Sequence, residues 1–354
     1  MKIAQVSPLY ESVPPRTYGG TERVVSYLTE ALVRLGHRVT LFASADSTTA
    51  AELEPICPQS LRLDPSTVDP LAWHLVALER VARLADRFDI VHFHLDYFHF
   101  PISRRTGYAH VTTLHGRLDI PELQPLYAEY PEAPVVSISD SQRAPLPHAN
   151  WRGTVHHGLP IDRFTFQPRP DGYLAFLGRI SPEKRVDRAV EIARRAGRPL
   201  RIAAKIDAVD RPYFEREIAP LFELPFVEYL GEIDEAGKNE FLGRAGALLF
   251  PIDWNEPFGL VMIEAMACGT PVVAWRGGSV PEIITDGVNG VIVDDLEAAV
   301  EATARAVAFD RRRCRAAFEA RFTDERMARA YLAIYRALLD RERPRRLVNL
   351  PRGA

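Results

Sequence analysis

Short runs of β-branched, aliphatic and aromatic residues recur along the chain: KIAQV (2–6), VTLFA (39–43), IVHFH (90–94), VTTLH (111–115) and VVSIS (135–139), followed by YLAFLG (173–178), RIAAK (201–205), VEYLG (227–231), ALLFP (247–251), PVVAW (271–275) and VIV (291–293). Several are apolar at every position, as strands buried on both faces are. Stretches of helical period lie between many of them. From Thr21 to Leu35 the apolar residues Val24, Val25, Leu28, Ala31, Leu32 and Leu35 recur at three- and four-residue spacing, which predicts an amphipathic helix stopped by Gly36. Repeated alternation of strand and helix predicts parallel sheets covered by helices, because parallel neighbours need crossover connections. The predicted class is α/β.

The alternation pauses at GLPIDRFTFQPRPDG, Gly158 to Gly172, and a second strand series opens at Tyr173. This divides the chain into an amino-terminal domain over 1–165 and a second over 166–325, each long enough for its own doubly wound sheet. Ligands of such sheets bind beyond the carboxyl ends of the strands, so a cleft between two such edges is expected. Met327, Ala330, Tyr331, Ile334, Tyr335 and Leu338 predict a last helix over 326–340, and RERPRRLVNLPRGA leaves 341–354 as a mobile basic tail.

With 47% apolar residues over 354 positions, both domains can bury a core. A net charge of -3 lacks the basic field of a dedicated nucleic-acid binder, so no nucleic-acid partner is expected. Cys57, Cys268 and Cys314 are widely spaced and form no CxxC pair. That suggests neither a disulfide framework nor a structural zinc site, and fits a reducing compartment. No apolar run approaches the roughly 20 residues of a membrane span, and MKIAQV reads as a first strand, so a cytoplasmic location is expected. SPLYESVPP follows the first strand where a nicotinamide enzyme would carry GxGxxG.

Four stretches carry candidate chemistry. In EPFGLVMIEAMACG, Pro257 suits the first position of a helix, and Gly259 lets backbone amides approach a ligand. The amides of Phe258, Gly259 and Leu260 then form an anion site at the helix start. Either Glu256 or Glu264 alone reads as a solvated helix acid. However, Val261, Met262, Ile263, Ala265, Met266 and Ala267 leave Glu264 little solvent face, and a buried acid needs partners. FLGRISPEKRVD places Arg179 and Lys184 just after a strand, where a guanidinium and an ammonium could stabilise a departing diphosphate. PPRTYGGTERVV brings Gly19 and Gly20 to a helix start that Thr21 could cap. His92, His94 and His99 cluster without the spacing of a metal site and read as core residues, and His115 ends the strand VTTLHG.

These stretches resemble the retaining glycosyltransferases of family 4. The resemblance implies a GT-B fold: two Rossmann-like doubly wound domains facing each other across a cleft, the C-terminal helix returning to the amino-terminal domain. Glu256 and Glu264 meet the family's E-x7-E pattern, which GGSVPEIITDGVNG continues. Glu256 is thereby expected to contact the transferred sugar, Glu264 the ribose hydroxyls, and the amides at Gly259 and Leu260 the donor phosphates or sugar. Arg179 and Lys184 match the GRxxxxK element, with Arg185 standing where the family commonly has glycine. Gly19 and Gly20 match its glycine-rich loop, and His115 the histidine that orients a sugar hydroxyl. SISDSQR resembles the family's serine-rich segment, and VHHGLPIDRF its asparagine-glycine segment, with His157 in place of asparagine. The implied substrate is a nucleotide-diphosphate sugar, UDP-sugar first, with a glycan, lipid-linked or small-molecule acceptor. No cofactor or metal is expected, because the two cations do a metal's electrostatic work. Front-face departure of the diphosphate lets it take the acceptor proton, leaving Glu256 to position the sugar. A sugar-nucleotide epimerase and a silent nucleotide-sugar binding module are the rival readings. The basic tail adds an expected transient contact with the inner membrane surface.

Overall fold

The computed structural model describes the backbone of residues 1–16 and 19–348 and the side chains of 1–16 and 19–340. Every strand expected from the apolar runs forms. The first sheet contains β1 (Lys2–Val6), β2 (Arg38–Ala43), β3 (Glu52–Pro55), β4 (Ile90–Phe93), β5 (His110–Thr113), β6 (Pro134–Ser137) and β7 (Asn150–Thr154) in the order β3-β2-β1-β4-β5-β6-β7. The second contains β8 (Leu174–Arg179), β9 (Leu200–Lys205), β10 (Val227–Tyr229), β11 (Ala247–Phe250), β12 (Val272–Trp275) and β13 (Gly290–Val293) in the order β10-β9-β8-β11-β12-β13. All neighbours pair in parallel. The fold is therefore α/β with two Rossmann-like sheets. Strand order reverses between β1 and β4 in one and between β8 and β11 in the other, and the carboxyl ends beside such a reversal are where ligands bind. The two strands absent from the apolar pattern, β3 and β7, are the edges of the first sheet. They are only partly covered, so their residues need not be apolar.

The chain forms two compact units, and their boundaries differ from the expected ones. One unit comprises Met1–Ile138, Arg143–Gly158 and the chain from Asp324 through the last helix; the other comprises Ser139–Gln142 and Leu159–Thr323. The second unit thus begins at Leu159 and not at 166. The Pro-rich segment reads as a linker in sequence, but it is stapled to its own unit. Leu159 N–H donates to Phe322 O at 2.8 Å, Arg315 donates to the carbonyls of Ile161 and Phe164, and Arg311 Nε donates to Gln167 O at 2.7 Å. The excursion Ser139–Gln142 is held by Glu282, whose carboxylate accepts from the Asp140 and Ser141 amides, both at 2.8 Å.

The last helix runs from Asp324 to Val348, longer than the expected 326–340. Backbone assigned to the tail thus continues the helix, and 349–354 lie outside the described residues. Its buried stripe is Met327, Ala328, Tyr331, Leu332, Tyr335 and Leu338; Ala328 takes the inward place expected of Ala330. It packs on the helix Gly20–Arg34 within the amino-terminal unit. That earlier helix starts one residue before Thr21, with Gly19 at its N-cap and no side-chain cap, so Thr21 does not cap it. Among the described residues no helix is long and apolar enough to cross a membrane.

Candidate functional site

In the second unit the loops after β8 and β11, on either side of the strand-order reversal, bring the predicted residues together. Lys184 lies just beyond β8, and its Nζ donates to Glu256 Oε2. Trp254 Nε1 donates to the same oxygen at 3.0 Å, and its ring lies 5.0 Å from the Lys184 ammonium. Glu256 is thus held by a cation and an indole N–H while nearly buried. Its backbone is fixed by Gly278, φ 52°, where a Cβ would stand 2.2 Å from the Glu256 carbonyl oxygen. Only glycine admits that approach.

The helix that follows is Leu260–Ala267, so Pro257 is not at its first position. Gly259 is the N-cap at φ 81°, ψ 70°, and this left-handed residue breaks the right-handed path before the helix can begin. The amides of Gly259 and Leu260 take no acceptor among the described residues, as expected for a first turn, and remain available to an anion. Phe258 is buried, and its carbonyl accepts from Ser279 Oγ at 2.6 Å.

Glu264 is buried on that helix, its side chain 4% exposed, as its apolar neighbours require. Its partner is Lys238, whose Nζ lies 2.8 Å from Glu264 Oε1. Lys238 comes from the helix Glu235–Arg244 and was not singled out in sequence, because a lone lysine on a polar helix carries no pattern. The contact fixes the direction of the Glu264 carboxylate. Lys238→Met is expected to weaken nucleotide binding about tenfold, a loss of 1.4 kcal/mol, with Lys238→Arg recovering most of it; titration calorimetry with UDP measures both. Unchanged affinity in Lys238→Met would remove Lys238 from the site.

Arg179, the last residue of β8, faces three carboxylates: Glu183 at 2.5 Å, Asp210 at 3.3 Å and Asp207 at 3.8 Å. Lys205 Nζ in turn lies 2.8 Å from Asp207. These acids hold the guanidinium in place and offset its charge until an anion competes for it. Arg185, standing where glycine is common, adopts φ 54°, ψ 52°. The turn therefore keeps a glycine-like conformation despite the side chain, which Asp187 and Asp253 hold at 2.8 and 2.9 Å.

In the amino-terminal unit, His115 follows β5 and its Nε2 lies 2.8 Å from His94 Nδ1. Burial pushes the His115 imidazole down to about 3 and keeps His92, His94 and His157 well below the usual histidine range, so all four are neutral at pH 7. His99 is a core residue, stacked on Phe93 at 3.7 Å and bonded to Thr112 and Ser103. The same structural reading fits His92 but not His94, which touches the candidate site residue. His157 stacks on His115 at 5.4 Å. Gly19 and Gly20 open the helix Gly20–Arg34 in the loop that leaves β1.

A family profile described as Glycosyltransferase Family 4 matches residues 18–176, and one described as Glycosyl transferases group 1 matches 161–319. The chain belongs to glycosyltransferase family 4. Among relatives of this family 4 chain, a D-inositol 3-phosphate glycosyltransferase of Geodermatophilus obscurus is 32% identical over 237 residues, 58% of this chain and 52% of the relative. The chain thus matches about half the length of that curated relative. The solved structure of AviGT4, a glycosyltransferase involved in avilamycin A biosynthesis, superimposes with a TM-score of 0.74 at 25% identity, covering 96% of this chain and 98% of that one. Anabaena Alr3699/HepE in complex with UDP-glucose has the same fold, with a TM-score of 0.69 at 18% identity over 96% of this chain and 99% of that one. These likenesses identify the two-sheet architecture of the family 4 chain as GT-B.

Proposed function

We propose that the protein is a retaining glycosyltransferase that moves a sugar from a nucleotide-diphosphate sugar, UDP-sugar first, to a hydroxyl of a glycan, glycolipid or small-molecule acceptor. The observation that carries this reading is the pair of cation–carboxylate contacts, Lys184 with Glu256 and Lys238 with Glu264, beside a helix start with open amides. Glu264 accepts from the ribose hydroxyls. The Gly259 and Leu260 amides, Arg179 and Lys184 bind the diphosphate and stabilise the charge it gains as the glycosidic bond breaks. Glu256 positions the sugar and offsets positive charge at its anomeric carbon. The leaving phosphate takes the acceptor proton, so no covalent intermediate on the protein is required. His115 orients a hydroxyl of the transferred sugar. The choice of UDP is supported by the Alr3699/HepE complex with UDP-glucose.

Thermal unfolding with UDP, GDP, ADP and dTDP and their hexose derivatives tests this. A ligand present at a hundredfold excess over its Kd stabilises the native state by about 2.7 kcal/mol. The expected result is a selective rise in Tm with UDP or one UDP-sugar, abolished by Arg179→Ala. No rise with any nucleotide would overturn the reading.

A further inference from the structure

A continuous chain of hydrogen bonds runs through the amino-terminal unit from the last helix to His115. Tyr331 Oη lies 2.8 Å from Thr113 Oγ1, Thr113 Oγ1 2.7 Å from His92 Nε2, and His92 Nδ1 2.7 Å from Tyr335 Oη. Gln5 Nε2 donates to Tyr335 Oη at 3.2 Å, Gln5 Oε1 lies 2.8 Å from His94 Nε2, and His94 Nδ1 lies 2.8 Å from His115 Nε2. Every member before His115 is buried. Each link therefore has to be satisfied inside the protein, and the donors and acceptors must alternate along it.

The orientation of the Gln5 amide, with Oε1 toward His94 and Nε2 toward Tyr335, sets the polarity of this alternation. The amide oxygen of Gln5 can only accept, so His94 carries its proton on Nε2 and keeps a lone pair on Nδ1. His115 must then donate from Nε2. A neutral imidazole has one N–H, which leaves His115 Nδ1 as an acceptor, and no described residue bonds it. We propose that Gln5 and His94 are positioning residues that hold His115 in its Nε2-protonated tautomer, so that Nδ1 accepts a hydrogen bond from a hydroxyl of the transferred sugar. The sugar part of this proposal rests on the glycosyltransferase reading. In this orientation the Gln5 amide nitrogen faces Tyr335 Oη at 3.2 Å and His92 Nδ1 at 3.5 Å. Turning that amide over would reverse every link and make His115 Nδ1 a donor, so the tautomer of His115 reports the direction of the whole chain.

The test is a long-range proton–nitrogen correlation spectrum of the full chain labelled with 15N-histidine at neutral pH, with His115 assigned by its loss in His115→Phe. A protonated Nε2 and a bare Nδ1 are expected; a protonated Nδ1 would overturn the proposal. In His94→Phe the acceptor is gone, and His115 should become a mixture of tautomers. Transfer should then slow about tenfold in kcat, 1.36 kcal/mol of barrier, more than KM rises. His94→Asn keeps an oxygen near the Nδ1 position and should restore both the tautomer and the rate. An unchanged tautomer in His94→Phe would also overturn the proposal, and if that variant does not fold, the wild-type and His94→Asn spectra still decide. The tautomer is read without donor or acceptor, so failure of the transfer assay and failure of this proposal are separate results.

Discussion

Replacing Lys184 by methionine is expected to lower kcat about 10²- to 10³-fold, the usual loss when one preorganised donor to a developing negative charge is removed. The fold should survive, because Lys184 ends a short 3-10 turn and methionine keeps an apolar stem in its mostly covered place. Stability should nonetheless fall, because Glu256 keeps Trp254 but loses its counter-charge while nearly buried. The double variant Lys184→Met/Glu256→Gln separates the two effects. It should regain most of the lost stability in urea titrations and none of the lost turnover. Near-normal turnover in Lys184→Met would sink the assigned role, and turnover recovered together with stability would make the pair structural.

Acid should destabilise the protein well above the usual carboxylate range, because its buried imidazoles outnumber the two carboxyls, Glu22 and Asp96, that desolvation raises to about 7 and about 6 and that act in the opposite sense. His92, His94, His99 and His157 are held well below the usual histidine range by burial, and His115 is pushed down to about 3. In the unfolded chain each titrates near 6.5. Between that value and its folded value the unfolded state binds the extra proton, so stability is complete above pH 6.5 and lost as pH falls. One such proton is worth about 1.4 kcal/mol per pH unit. Urea midpoints should be nearly flat from pH 7 to 8 and drop steeply from pH 6.5 to 5. A flat profile down to pH 5 would mean that the imidazoles are already charged in the folded protein. Loss of activity over that interval should track unfolding and not protonation of folded His115.

Residues whose pattern stands apart from background were readable in the sequence. Glu264 could be singled out because six apolar neighbours left it no solvent, and its burial follows from them. Lys238 completes it from a separate helix, and no spacing links the two. Tyr331 and Tyr335 were legible as a buried helical stripe, but their hydroxyl partners depend on side-chain direction across sheet and helix. His94 was lost among three histidines because period alone cannot tell a core imidazole from one that meets a site residue. Pro257 misled through a sound local preference: it is compatible with a helix start, yet Gly259 delays that start to Leu260. Polar β3 and β7 escaped because edge strands are released from the apolar requirement that betrays central ones.

The division of the chain has a consequence for synthesis. The second unit is almost a single stretch, Leu159–Thr323, and can close once that stretch has left the ribosome. The amino-terminal unit, although translated first, waits for Tyr331 and Tyr335 of the last described helix before His92 and Gln5 have their partners. Until then a set of unsatisfied buried imidazoles has no finished interior. The order of emergence from the ribosome is thus the reverse of the order of completion, and chain release at Thr323 should yield a folded second unit beside an amino-terminal unit open to proteases.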